Sequence, residues 1–153
     1  MAHAVALIWF RRDLRLTDNP ALQHALEHAD QIVPVYIHAP DEEAPWPPGA
    51  ASRWWLHHSL AALDQSLRQR GTRLVLRRGD TQSELLTLAK QTRATLVCCN
   101  ASYEPTTRKR DVTLGHALQR RDIKLSVHDG AVLLHPERVK TAAGTPYRVF
   151  TPF

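Results

Sequence analysis

Apolar residues along the chain fall into short continuous runs that are separated by segments with helical spacing. A short continuous apolar run is typical of a strand that is buried on both faces of a parallel sheet. By this criterion the sequence predicts five strands, at residues 5–10, 31–38, 72–77, 94–99 and 123–127. Pro34 lies inside the second strand and cannot donate a ladder hydrogen bond, so we expect it near an edge or a bulge.

Between the predicted strands, apolar residues recur at helical spacing, which predicts amphipathic helices. The first helix starts with Pro20 and can be capped by Asp18 or Asn19. The helices are predicted at about residues 20–29, 51–70, 81–92 (or from 83) and 105–121. The buried stripe of the longest helix consists of Leu56, Leu60, Leu63 and Leu67.

The regular alternation of strands and helices predicts a fold of the α/β class. We expect a three-layer, Rossmann-like, doubly wound five-stranded parallel sheet with the strand order 3-2-1-4-5. This order has a topological switch between strands one and four, and ligands of such sheets bind at the carboxyl ends of the strands beside the switch. The loops at residues 11–13 and 100–104 are predicted to meet there.

Composition narrows the class of protein without identifying it. The chain has 153 residues and a formal net charge of +5, which suits one globular domain and permits, but does not show, attraction to nucleic acid. No apolar run is long enough to span a bilayer. We therefore expect no membrane partner. The adjacent Cys98 and Cys99 are poorly placed for a disulfide, so we expect a reducing, cytoplasmic location.

The sequence lacks the common motifs of catalytic and metal sites. It contains no GxGxxG, GxxxxGK[ST], GxSxG or HExxH motif, and its nine histidines are scattered, so no catalytic residue and no metal ligand is predicted. The charged loop after the first strand has two interpretations. Its residues could bind a phosphate or carboxylate, or they could form an internal ion-pair network: Arg11, Arg12, Asp13, Arg15 and Asp18.

Several other side chains also have two interpretations. Trp46, in the proline-rich loop at residues 39–49, could pack on its own domain or form a wall for a planar ligand or a second domain. Trp54 and Trp55 lie about 100° apart on their helix, so we expect one of them in the core. The basic run at residues 108–110 is expected to be a solvated helix face.

Several motifs together resemble the N-terminal region of the DNA photolyase and cryptochrome family. The signature is WFRRDLRL at residues 9–16, followed by DNPAL at residues 18–22. Three later stretches agree in order and spacing: residues 36–37, residues 100–104 and GTPYRVFTPF at residues 144–153. The resemblance covers essentially the whole chain.

The resemblance implies a division of labour between two domains. Residues 1–130 would be an α/β antenna domain, and residues 131–153 would begin the linker to an absent helical domain that binds FAD. In full-length photolyases, that domain uses blue light to split cyclobutane pyrimidine dimers, so we expect the present chain to be inactive alone and to meet DNA only in the full-length protein. The alternatives are a cryptochrome photoreceptor, a stand-alone nucleotide-binding module and an interaction domain without ligand.

The resemblance also implies an auxiliary light-harvesting chromophore: a deazaflavin, FMN or methenyltetrahydrofolate. Thr106 and Thr107 occupy positions where some folate-binding members have an Asn-Glu pair, which weakens the case for folate, and an empty pocket is a further alternative. Trp46 and Trp54 could stack on a flavin-like ring. The candidate cofactor-binding residues are Arg12, Asp13, His38, Trp46, Trp54, Asn100, Glu104, Thr106 and Thr107.

The apolar residues at the end of the chain give one more expectation. Val149, Phe150 and Phe153 would pack against the absent domain, or would form an exposed apolar patch in its absence. Such a patch predicts self-association of the chain at high concentration.

Overall fold

In the computed structural model, which describes residues 4–43 and 45–147, five strands alternate with four α-helices. The strands are β1 (Val5–Phe10), β2 (Gln31–His38), β3 (Val75–Arg78), β4 (Leu96–Asn100) and β5 (Lys124–His128). The helices are α1 (Pro20–His28), α2 (Ala50–Arg68), α3 (Thr81–Thr92) and α4 (Pro105–Gln119). Two short 3-10 helices cover Pro40–Glu43 and Pro136–Arg138.

The sheet has the predicted order, β3-β2-β1-β4-β5, and all neighbouring strands are parallel. The α/β doubly wound fold is therefore confirmed. Pro34 pairs with Ile8 on β1, whereas pairing with β3 begins only at Val35. The proline thus lies where β2 has no neighbour on its β3 side, and the missing N–H costs no ladder bond there.

The helices cover both faces of the sheet because side chains of a central strand point alternately to the two sides. Ala6, Ile8 and Phe10 of β1 pack with apolar residues of α1 and α2. Leu7 and Trp9 pack with apolar residues of α3 and α4 on the other face. All six residues of β1 are buried, as its uninterrupted apolar sequence predicts.

Helix caps explain where some elements begin and where the predicted bounds were wrong. The Asn19 side chain accepts a hydrogen bond of 3.1 Å from the backbone N–H of Leu22, so Asn19 caps α1. The third strand starts at Val75 rather than at residue 72, since the backbone N–H of Thr72 still donates to the carbonyl of Leu67 and closes the end of α2.

Two expectations about side chains are wrong. Trp54 and Trp55 are 61% and 69% exposed, so neither of them enters the core, which α2 meets through buried Leu63 and Leu67 instead. Within the basic run at residues 108–110, Arg110 is not a solvated side chain, because it pairs with the carboxylate of Glu42 at 2.8 Å. Tertiary contact with the proline-rich loop overrides the helical charge pattern here.

Two further expectations concern the ends of the chain and the membrane. The predicted apolar patch of Val149, Phe150 and Phe153 lies outside the described residues. Among the described residues, no helix combines the length and the apolar character that crossing a membrane requires.

Candidate functional site

Asn100, the last residue of β4, is the centre of the polar site at the carboxyl edge of the sheet. Its side chain is buried at the switch between β1 and β4. The amide oxygen accepts from the backbone N–H of Ala21 at 3.1 Å, and the amide nitrogen donates to Asn19 Oδ1 at 2.8 Å and to the carboxylate of Asp13. One amide thereby joins the charged loop, the start of α1 and the end of β4.

Arg15 fastens the same loop to the segment that follows β5. Its guanidinium donates to the carbonyl of Gly130 at 2.6 Å and to the carbonyl of Asp18 at 2.8 Å. A Cβ atom on Gly130 would lie 2.6 Å from Cγ of Asn100, so glycine is required for this close approach. The space beside Asn100 is thus filled by the chain itself.

Arg11 forms a buried ion pair on the α4 side of the sheet. Its Nη1 lies 2.7 Å from Oδ2 of Asp111, and the two side chains are only 8% and 12% exposed. Its Nη2 donates to the backbone carbonyl of Asn100. The guanidinium also lies over the indole of Trp9, 4.7 Å from the ring centroid, in a cation–π arrangement. Arg11 is therefore part of the scaffold.

Glu42 extends this network to the start of α3. Its carboxylate accepts from the backbone N–H of Thr81 at 2.6 Å and from the hydroxyl of Thr81 at 2.8 Å. It also binds Arg110, whose guanidinium lies 5.3 Å from the centroid of the Trp9 ring. The proline-rich loop is therefore held by charge-assisted hydrogen bonds at its first turn.

Arg12 is oriented away from this network, although it follows Arg11 directly. Its side chain is 80% exposed and pairs with the carboxylate of Glu104. Thr107 Oγ1 donates to the same carboxylate at 3.3 Å. Because exposed ion pairs contribute little to stability, a ligand could replace this pair at small cost. Arg12 and Glu104 thus form an outer rim of the site.

The remaining predicted residues lie at the same edge of the sheet but without a shared contact. His38 is half-buried at the end of β2, and Thr106 is exposed in the first turn of α4. Trp46 is 87% exposed. Trp54, in the second turn of α2, stacks at a tilt on His58 with 4.3 Å between the ring centroids. The two indoles are available to a ligand or to a second domain.

The structure thus decides between the two interpretations of the charged loop residue by residue. Arg11, Asp13 and Arg15 are engaged internally, whereas Arg12 lies on the outside. Asn19 and Asp111 also belong to the network, although neither was predicted as a site residue. For Asn19 its helix-cap position was a usable signal; for Asp111, a hundred positions from Arg11, the chain offered none.

Burial also shifts the pKa of groups near the site. The two cysteines of β4 are buried and free, and burial raises the pKa of Cys98 to about 11 and that of Cys99 to about 12. Burial, followed by the hydrogen bond to Asp129, raises the pKa of Tyr103 to about 12. At neutral pH all three groups are protonated, so none of them is prepared to act as a nucleophile or base.

A cluster of histidines, which the scattered sequence positions did not predict, lies between α1 and β5. The ring of His24 stacks on that of His28 at 3.9 Å and lies 4.6 Å from that of His128. Desolvation, followed by the charge of a neighbouring histidine, lowers the pKa of His24 and that of His128. Helical spacing brings the first two together, but only the fold adds the third.

Relatives of known sequence resemble the chain along almost its whole length. The deoxyribodipyrimidine photo-lyase of Agrobacterium fabrum is 45% identical to this chain. The aligned region covers 98% of this chain and 31% of the relative. The chain spans about a third of the length of the photolyases that it matches, and 22–26% of the length of the plant cryptochromes that it matches.

Solved structures agree with the sequence comparison. A class III photolyase from Agrobacterium tumefaciens superimposes with a TM-score of 0.92 and 43% identity, over 99% of this chain and 31% of that one. A photolyase from Sulfolobus tokodaii, described with two FAD molecules and a novel light-harvesting cofactor, gives a TM-score of 0.74 and 27% identity, over 86% and 32% of the two chains. The DNA photolyase family profile matches residues 6–153, and this chain belongs to that family.

Proposed function

We propose that this chain is the N-terminal light-harvesting domain of a deoxyribodipyrimidine photolyase. The observation that carries the proposal is the superposition of the whole chain on about a third of a bacterial photolyase at a TM-score of 0.92. In this proposal the full-length protein repairs cyclobutane pyrimidine dimers through FAD in a C-terminal domain. That domain, which binds DNA, is the principal partner of the chain in the cytoplasm.

The exposed side chains at the carboxyl edge of the sheet fit a flat, anionic chromophore. The guanidinium of Arg12 is exposed and suits a phosphate or carboxylate. The exposed indoles of Trp46 and Trp54 suit a conjugated ring, since stacking on an aromatic face contributes about 0.5–1.5 kcal/mol beyond area burial. All three residues follow the carboxyl ends of β1 or β2, where ligands of doubly wound sheets bind.

Within this proposal, the candidate residues have different roles. Arg12 anchors the anionic group, and Trp46 or Trp54 stacks on the ring. Asp13 and Asn100 do not reach the ligand but fix the loop that presents Arg12, as their mutual hydrogen bond indicates. His38, Thr106 and Glu104 line the same edge. When bound, such a chromophore absorbs blue or near-ultraviolet light and passes the excitation to FAD.

A flavin is favoured over folate among the candidate chromophores. Thr107 hydrogen-bonds to Glu104 and Thr106 is exposed, so this turn of α4 offers hydroxyls in place of the carboxylate that the resemblance associates with folate binding. FMN, with its phosphate and its tricyclic ring, matches the exposed guanidinium and indoles. A deazaflavin has the same ring shape and is tested in parallel.

Titration of the chain with FMN tests the proposal directly. We expect quenching of flavin fluorescence with one FMN per chain, weakened by Arg12→Ala and by Trp54→Ala. Arg120→Ala is the matched control, because Arg120 is also exposed but lies at the end of α4, at the opposite edge of the sheet. If FMN, a deazaflavin and methenyltetrahydrofolate all failed to bind, the chain would be an interaction domain instead.

Repair assays separate the domain from the full-length protein. The 153-residue chain should not split thymine dimers under blue light, whereas a full-length protein that contains it should. A full-length protein that binds FAD but repairs no lesion would support the alternative of a cryptochrome photoreceptor.

Light scattering after size exclusion tests the expected self-association, and a monomer at millimolar concentration would contradict it.

A further inference from the structure

We propose that α1 carries a binding site for a divalent transition metal, with Zn²⁺ as its preferred ion, formed by His24, Glu27 and His28. Each of these side chains offers a ligand atom, and the three atoms all lie within 4.8 Å of one another. Residues three and four positions apart share one face of a helix, so α1 itself presents the three groups together. The site is separate from the polar site around Asn100.

The hydrogen bond of the His28 ring leaves its second nitrogen for a metal. Nδ1 of His28 lies 2.8 Å from the carbonyl oxygen of His24. A carbonyl only accepts, so Nδ1 carries the proton and Nε2 of His28 keeps its lone pair. This is the pattern of metal-binding histidines, whose second nitrogen donates to a backbone carbonyl or a carboxylate.

His24 is the strongest sign that the site takes a ligand. Its Nε2 is buried and has no hydrogen-bond partner among the described residues. A buried nitrogen without a partner loses its interaction with water and gains nothing in return. No hydrogen bond among the described residues satisfies this atom. A metal ion bound at Nε2 would do so.

Neighbouring side chains hold the cluster in place. Gln23 donates to Oε1 of Glu27 at 3.0 Å, which leaves Oε2 for a metal. His128 packs on the His24 ring from the side of β5 and is itself bound to the hydroxyl of Ser126 at 2.9 Å. His128 is not one of the three ligands, but its ring packs against the ring of His24.

The donor set indicates the kind of metal. Two imidazoles and one carboxylate suit Zn²⁺, which takes three protein ligands and a water in open sites. Mg²⁺ and Ca²⁺ prefer oxygen ligands and are disfavoured by the imidazoles. Because α1 is capped by Asn19, which bonds to Asn100, a metal on α1 would stabilise the helix that supports the carboxyl-edge site.

Calorimetric titration of the EDTA-dialysed chain with Zn²⁺ alone tests the site. We expect one Zn²⁺ per chain. His28→Ala should lower the Zn²⁺ affinity at least about tenfold, because mutation of a residue that only hydrogen-bonds to a metal ligand already has an effect of that size. Glu27→Gln changes an exposed residue and should weaken binding without unfolding the protein. Zn²⁺ should also raise the Tm of the unaltered chain but not that of His28→Ala.

Two control variants make the test specific. His57→Ala removes a histidine of α2 that packs edge-on against His58 but belongs to no group of three ligands in the part of the chain that the structure describes. This variant should bind Zn²⁺ unchanged. His116→Ala removes an exposed histidine of α4 that belongs to no such ligand group among the described residues, and it should also have no effect. The proposal would be overturned by equal Zn²⁺ affinity in His28→Ala and the unaltered chain, or by the absence of binding.

Discussion

Two adjacent arginines of the charged loop have opposite environments. The side chain of Arg11 is 8% exposed and lies between Asp111 and the Trp9 ring, whereas that of Arg12 is 80% exposed and pairs with Glu104 at the surface. The difference lies in the partners, because Asp111 is a largely buried residue within α4, whereas Glu104, at the N-cap of the same helix, is half exposed. Residues of one charged motif can therefore divide between scaffold and ligand contact.

The difference also shows how the site is built in two layers. The inner layer consists of buried and half-buried groups that bind one another, as the three hydrogen bonds of the Asn100 side chain show. The outer layer consists of exposed charged side chains and exposed indoles, whose interactions with the rest of the protein contribute little to stability. Stability should therefore depend on the inner layer and ligand binding on the outer one, and the four substitutions below test this division from the largest effect to the smallest.

Arg11→Ala should be the most damaging change. It leaves the carboxylate of Asp111 and the carbonyl of Asn100 without their principal partner, and loss of one member of a buried pair costs about 3–5 kcal/mol. Urea denaturation followed by circular dichroism measures the free energy of unfolding. Arg12→Ala is the matched control on the same loop, and equal losses in the two variants would contradict the comparison.

Asn100→Ala should lower the free energy of unfolding by about 2–3 kcal/mol, because it removes three hydrogen bonds, to Asp13, Asn19 and Ala21. The partners are coupled, so the effects of Asn100→Ala and Asp13→Ala should be clearly less than additive in a double-mutant cycle. Full additivity would mean that Asn100 and Asp13 act independently.

Gly130→Ala should cost about 1–2 kcal/mol, as overpacking of a tight contact does. The new Cβ would lie 2.6 Å from Cγ of Asn100, so either the loop or the Asn100 amide must move. Thermal unfolding measures the change. Gly115→Ala, within α4, is the control, since a Cβ at Gly115 would have Leu125 Cδ2 as its nearest contact at an ordinary 3.6 Å. A loss as large as that of Gly130→Ala would remove the steric explanation.

Arg12→Ala should change the free energy of unfolding by less than about 0.5 kcal/mol, because its partner is a half-exposed carboxylate. The same variant should bind FMN more weakly. This pairing of a small effect on stability with a clear effect on binding is the sharpest test of the outer layer. A large loss of stability without an effect on FMN would assign Arg12 to the scaffold.

The sequence predicted the fold closely for physical reasons that act over short distances. Strands β1 and β2 have the predicted bounds, since continuous apolar runs and local turn signals define them. The third strand was placed too early, because the residues after Gly71 continue the closing turn of α2. The sequence predicted where the candidate site lies, namely where the loops at residues 11–13 and 100–104 meet. The contacts of Asp13 with Asn100 and of Arg12 with Glu104 confirm that these loops meet.

The roles of individual residues could not be predicted equally well. Asp111 and Arg11 lie a hundred positions apart in the chain, and Glu42 and Arg110 lie 68 apart. Whether such charges meet depends on how helices pack on the sheet, and no local pattern encodes that packing. For the same reason the exposure of Trp54 and Trp55 was not foreseen from helical geometry alone.

The sequence by itself thus determined the strand order, the switch between β1 and β4 and the family of the protein, because these rest on periodicity and on a contiguous motif. Tertiary structure alone decided which arginine is buried, which carboxylate each one meets and that His128 joins the two histidines of α1. Those outcomes follow from contacts between segments distant in sequence, whose distances and burial only the folded chain fixes.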